Sequence, residues 1–153
     1  MISRISTIFT VATLGLCLTA SVSLAGAIDD IIVKRQACMK ANGASMGVFV
    51  PMMQGAKPFD AAAVATSVAS VEAACADWAK WWAPDTMKGE MAKTKAKPEI
   101  WSDAAGFEKA GAAYYTALGE VKAAKDDAAF KAAFGHFGGS CKGCHTVYRA
   151  ADE

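Results

Sequence analysis

Histidine is scarce in this chain, with two in 153 residues, and so is proline, with four. A zinc site built on a cysteine pair wants two further ligands, and only one histidine, His136, lies outside the motif described below. No segment alternates apolar and polar residues over the length of a strand, which argues against a sheet and against the βαβ setting of a redox dithiol. No charge of one sign dominates: 16 Lys and Arg face 15 Asp and Glu, which leaves no electrostatic footprint for nucleic acid. The longest apolar stretch, from Ile8 to Leu24, falls short of the roughly 20 residues that a membrane span requires. Composition does not break along the chain, so a single domain around one core is expected.

What is present is Cys141-Lys142-Gly143-Cys144-His145, close to the C-terminus. Two thiols three positions apart, followed at once by an imidazole, suit covalent haem attachment: each thiol adds to one vinyl group and the histidine binds iron. A bare dithiol or half of a zinc site are the alternatives, and the absences above weigh against both.

Met1 to about Ala27 combines a basic start at Arg4, the apolar run and small residues at Ala25-Gly26-Ala27. This is the pattern of a secretory signal peptide cleaved after Ala25 or Ala27, leaving 28–153 as the mature domain. Export to the periplasm, with no membrane insertion after cleavage, agrees with thioether and disulfide chemistry. Loss of Arg4 leaves 15 basic and 15 acidic residues, a mature net charge of zero. The Lys-rich run from Lys88 to Lys97 reads as a solvated loop before a docking patch.

The mature chain reads as four helices. Ile28, Ile32, Met39, Met46, Phe49 and Met53 recur at threes and fours, with Arg35 and Asn42 on the same stripe, until Gly55-Ala56-Lys57-Pro58 stops the helix. Pro51 should loosen its last turn. A second helix follows Asp60 and carries Val64, Val68, Val71, Cys75, Trp78 and Trp82 as far as Pro84. Residues 83–101 form a long connection with Pro84, Gly89 and Pro98. A third helix starts near Ser102 or Asp103 and presents Phe107, Ala110, Tyr114, Leu118 and Val121. The fourth, capped by Asp126 or Asp127, carries Phe130, Phe134, Phe137 and the haem motif. The fold class is all-α: an antiparallel up-down-up-down four-helix bundle with haem near the C-terminus.

In such a bundle Met39 and His145 lie near one end, about 8 Å or less apart along the axis, while Met46 and Met53 fall deeper and read as core. Met39 is therefore the candidate distal iron ligand, and thioether sulfur is a usual partner for histidine in a cytochrome. His136, nine residues before His145, points away. Arg35, one turn from Met39, either pairs with a haem propionate or snorkels at the bundle end. Arg149 shares the face of His145. Cys38 and Cys75 come to one level on neighbouring helices; they form a disulfide or stay as two small buried thiols, Cys38 lying beside the seam.

Lys34-Arg35-Gln36, Pro98 to Ala105 (Pro-Glu-Ile-Trp-Ser-Asp-Ala-Ala) and the Cys-x-x-Cys-His-x-x-Tyr-Arg stretch ending at Arg149 resemble the cytochrome c′ family, the class II c-type cytochromes. The resemblance spans the mature chain. It implies one haem c held by Cys141 and Cys144, His145 as proximal ligand and Arg35 near a propionate. Gas-binding members commonly have an apolar residue where this chain has Met39; members with methionine there are six-coordinate and low-spin. The leading expectation is thus a periplasmic electron carrier with His145 and Met39 on iron, not an enzyme, exchanging electrons with periplasmic or membrane-bound redox proteins. The alternative is a five-coordinate protein that binds NO or CO with Met39 off the iron; a haem peroxidase would want distal acid–base groups, and no distal histidine supplies them. The family also allows a homodimer through the first two helices.

Overall fold

The computed structural model describes residues 19–151, with side chains from residue 26 onward. Residues 1–18, most of the expected export segment, lie outside them, and the expected cleavage positions fall within the first helix. The helices are α1 (Thr19–Met53), α2 (Ala61–Ala74), α3 (Glu99–Ser102), α4 (Ala104–Ala123) and α5 (Asp127–Tyr148). Among the described residues no strand forms, and β pairing is limited to an isolated bridge between Ala96 and Arg149. None of the described helices is long and apolar enough to cross a membrane.

The caps are those the sequence announces. Asp60 accepts the N–H groups of Ala62 and Ala63, Asp103 that of Gly106, and Asp126 that of Ala129. Each carboxylate satisfies amides that have no partner within the helix and opposes the positive end of the helix dipole. At the other end of α1, Gly55 takes a φ of 71°, a left-handed conformation open to glycine, and its N–H closes on the carbonyl of Met52 at 3.0 Å.

Helix α1 packs on α2 and α4 on α5, and contacts of α2 with α4 and of α1 with α5 close the bundle. Phe49, Phe130, Phe137, Leu118, Val68 and Val71 are almost wholly buried at its centre. Burying each such side chain contributes roughly 1.5 to 3 kcal/mol. Phe49 meets Phe130, Phe134 and Phe137 edge-on, with ring centroids 5.9, 6.1 and 6.4 Å away. The positive ring edges thus meet negative faces.

Two expectations are corrected. The buried seam of α1 runs through Ile32, Arg35, Cys38, Ser45, Phe49 and Met52; it keeps Ile32, Arg35 and Phe49 of the expected stripe, but Met53 is exposed and Met52 is core. Cys38, expected beside the seam, turns fully inward and is bonded to Cys75. Second, the helix expected to reach Trp82 ends at Ala74; single turns of tighter helix carry Trp78–Lys80 and Pro84–Thr86. There the carbonyl of Cys75 accepts the N–H of Trp78 and the hydroxyl of Tyr115, and Trp78 and Trp82 pack on each other and on Phe107. Threes are a spacing common to both helix types, so the apolar pattern continues through a change of structure.

Candidate haem site

The site begins at the last two turns of α5. Cys141 and Cys144 are half-buried and unbridged, three residues apart on one side of the helix. Cys141 packs against the main core, whereas Cys144 packs against a second apolar cluster of Ile100, Phe107 and Tyr148 with Trp78 and Trp82 beside it. Burial pushes both thiols above the ordinary cysteine range, so neither is kept as a reactive thiolate. His145 faces outward beside an open depression of about 550 Å³ shared with Lys97, Lys142 and Arg149. Partial burial, with the charge of Arg149 second, lowers the pKa of His145. A neutral imidazole is the form that binds a metal.

The end of α5 is held in place from two sides. The N–H of Lys97 donates to Tyr148 O at 3.0 Å, that of Ala150 to Lys95 O at 2.8 Å, and the Lys97 ammonium to Val147 O at 2.7 Å. On the other side the Tyr148 hydroxyl donates to Asp103 at 2.7 Å, across a gap in which a Cβ at Gly106 would collide with both groups. This hydrogen bond, followed by burial and the Asp103 charge, raises Tyr148 to about 12. The unfolded chain releases that proton near pH 10, so stability present below about pH 10 is lost as pH rises toward the folded value. Alkaline denaturation followed by circular dichroism should therefore steepen between these values in the parent and less so in Tyr148→Phe.

Across the bundle, α1 is tied to α4 and through it to α5. Asn42 accepts the Tyr114 hydroxyl at 2.7 Å, and the Tyr114 ring packs on Phe137 of α5 with ring centroids 5.6 Å apart. Met39 is three residues before Asn42 and His145 eight after Phe137 on an antiparallel helix, displacements of about 4.5 and 12 Å in the same direction. Met39 and His145 thus lie toward the same end of the bundle. Met39 is 36% exposed and belongs to neither apolar cluster, whereas Met46 packs on the core. His136 is exposed and bonded to Glu120 of α4 at 2.8 Å, on the surface as expected.

Arg35 is buried, 5% exposed, and does not snorkel. Its guanidinium donates to Thr86 O at 2.9 Å, to Trp81 O and to the Thr86 hydroxyl, and stacks over Trp82 at 4.1 Å. No acidic side chain is among these partners, and burial pushes its pKa down to about 10. Two neighbouring donors, Arg35 Nε and Trp82 Nε1, are buried without a partner. Unsatisfied donors beside a desolvated cation are costly, and a carboxylate would satisfy both. A haem fits the donor set: two thiols, an imidazole, a thioether toward the same bundle end, and an anion-accepting corner next to the cluster that holds Cys144. The sequence had placed Arg35, but not Trp82 as its platform nor the Asn42–Tyr114 tie, since Asn42 on a buried stripe was the sole signal of the latter.

Bundle and motif together define a c-type haem protein built on four helices. A family model described as Cytochrome C' matches residues 30–149, and the chain belongs to the cytochrome c′ family. A cytochrome c′ of Rubrivivax gelatinosus is 38% identical over 123 residues, 78% of this chain and 94% of that protein. Its crystal structure superposes with a TM-score of 0.72 at 37% identity, covering 80% of this chain and 97% of the other. A nitric oxide complex of a variant cytochrome c′ from Alcaligenes xylosoxidans gives a TM-score of 0.71 at 32% identity, covering 82% and 97%. The cofactor is accordingly one covalently attached haem c.

Proposed function

We propose that this cytochrome c′ binds a small diatomic gas, NO or CO, on the haem face opposite His145, with Met39 standing at that face without ligating iron. The observation that carries this is the distal register. His136 is engaged by Glu120 on the surface, and Met39, toward the same bundle end as His145, is not consumed by core packing, which supports its assignment to the distal face. Similarity to a relative solved as its nitric oxide complex supports the same reading. The haem, when bound, would supply an iron able to take up a diatomic ligand and to change valence by one electron. Cys141 and Cys144 would hold the group to α5, His145 would bind its iron, and Arg35 with Trp82 Nε1 would receive a propionate. The protein is a mature periplasmic domain from residue 28, released from its signal peptide. Titration of the ferrous protein with CO tests the proposal: one equivalent per chain is expected, with faster binding in Met39→Ala because less side chain has to move aside. No CO uptake by the parent would reject it.

One observation favours a second reading, electron transfer with Met39 on iron: the side chain at the distal position is a thioether, a good ligand for ferrous haem. In that case Met39→Ala converts a low-spin spectrum into a high-spin one.

A further inference from the structure

We propose that the Cys38–Cys75 disulfide, together with Asn42, is the positioning device that fixes Met39 at the distal face and so sets how readily a gas enters. The inference rests on Met39 being the distal residue. Cys38 directly precedes Met39 and is fully buried, and its bridge to Cys75 ties α1 to the end of α2 across a separation of 37 residues. One turn further on, Asn42 donates its amide to Cys38 O at 2.9 Å and lies 3.9 and 3.7 Å from the Cys38 and Cys75 sulfurs. The same side chain accepts the Tyr114 hydroxyl from α4, and Tyr114 packs on Phe137 of α5 with ring centroids 5.6 Å apart. The single turn that carries Met39 is therefore tied covalently to α2 and by a partly buried hydrogen bond to α4. With Cys38 turned fully inward, Met39 beside it stands outside the core.

A helix clamped on two sides cannot give way when a ligand enters, so Met39 must clear the face by its own rotamers. Without the bridge α1 can yield, and the gas should bind more tightly. The bridge is a positioning element, so its test reads ligand binding and not only stability.

The holoprotein variant Cys38→Ala/Cys75→Ala, made alone and in a Met39→Ala background, is titrated with CO in the ferrous state. The expected result is a change in CO affinity of about five-fold or more in the first, the size of a typical coupling between sites, and little change in the second. Tyr114→Phe, which keeps the bridge and removes only the tie to Asn42, should shift affinity the same way by a smaller factor. This variant decides the matter if the double alanine variant does not fold. Unaltered CO binding in a folded bridge-less protein, or in Tyr114→Phe should that protein not fold, overturns the proposal and leaves the bridge a staple of the fold. An equal change with and without Met39 also overturns it, since the effect would then act elsewhere. If Met39→Ala alone leaves spectrum and CO binding untouched, the assignment of Met39 as distal residue fails instead.

Discussion

Serine at both Cys141 and Cys144 should abolish covalent haem altogether. Haem staining of a denaturing gel then shows the parent band and none for the variant, and acidic acetone extracts whatever haem is recovered. The reason lies in the chemistry of the bond: a thiol adds across a vinyl double bond to give a thioether, and a serine hydroxyl does not. Each single variant keeps one thioether, so its haem stays on the gel while one vinyl group remains conjugated, moving the reduced haemochrome band to longer wavelength. Both cysteines sit on well-packed turns, Cys141 against the main core and Cys144 against Ile100, Phe107 and Tyr148. Without the tether only noncovalent contacts would hold the group, so residual haem should dissociate on dilution. Retention of haem on the gel by the double variant would contradict the attachment assigned to this motif.

The second large effect belongs to the other cysteine pair. Cys38 and Cys75 are bridged in the folded protein, with Cα atoms 4.9 Å apart. Closing a loop of 37 residues restricts the unfolded chain, and in the chain-entropy model this contributes about 3 to 4 kcal/mol. For a domain of this size, removal of the bridge should lower the midpoint of thermal unfolding by about 10 to 15 °C. Alanine at both positions and calorimetry measure this directly. Mass analysis of the unreduced parent should find neither cysteine alkylated; two alkylated residues would remove the bridge from the account.

Most of the fold is legible in the sequence because its signals are local. Asp60, Asp103 and Asp126 each precede an apolar helical period and each caps a helix. Gly55 marks a stop because the chain there turns left-handed. What the period does not show is rotation. Cys38, Ser45 and Met52 each stand one residue before a methionine of the expected stripe, and the period does not tell which of the two is the more deeply buried. The end of α2 was hidden for a related reason, since the tryptophans keep helical spacing while their rings pack on Phe107 from single turns.

At the site, the motif alone proposes Cys141, Cys144 and His145, because reactive groups at fixed offsets need no tertiary information. Arg35 was legible as an ill-placed charge on an apolar stripe. Its carbonyl partners at Trp81 and Thr86 come from a connection whose path no period describes. The thioether at position 39 led to an expectation of ligation; the family relationship and the nitric oxide complex of a relative weigh toward an open iron face. Side-chain type names a candidate donor, but bond formation depends on where α1 is held.

The optical spectrum of the purified holoprotein, ferric and ferrous, the latter with and without carbon monoxide, tests the central claim most directly. A gas-accessible haem with Met39 off the iron predicts a broad high-spin ferrous spectrum that converts on adding carbon monoxide. Sharp low-spin bands in both oxidation states, a ferric methionine–iron charge-transfer band that disappears in Met39→Ala, and little response to carbon monoxide would contradict it.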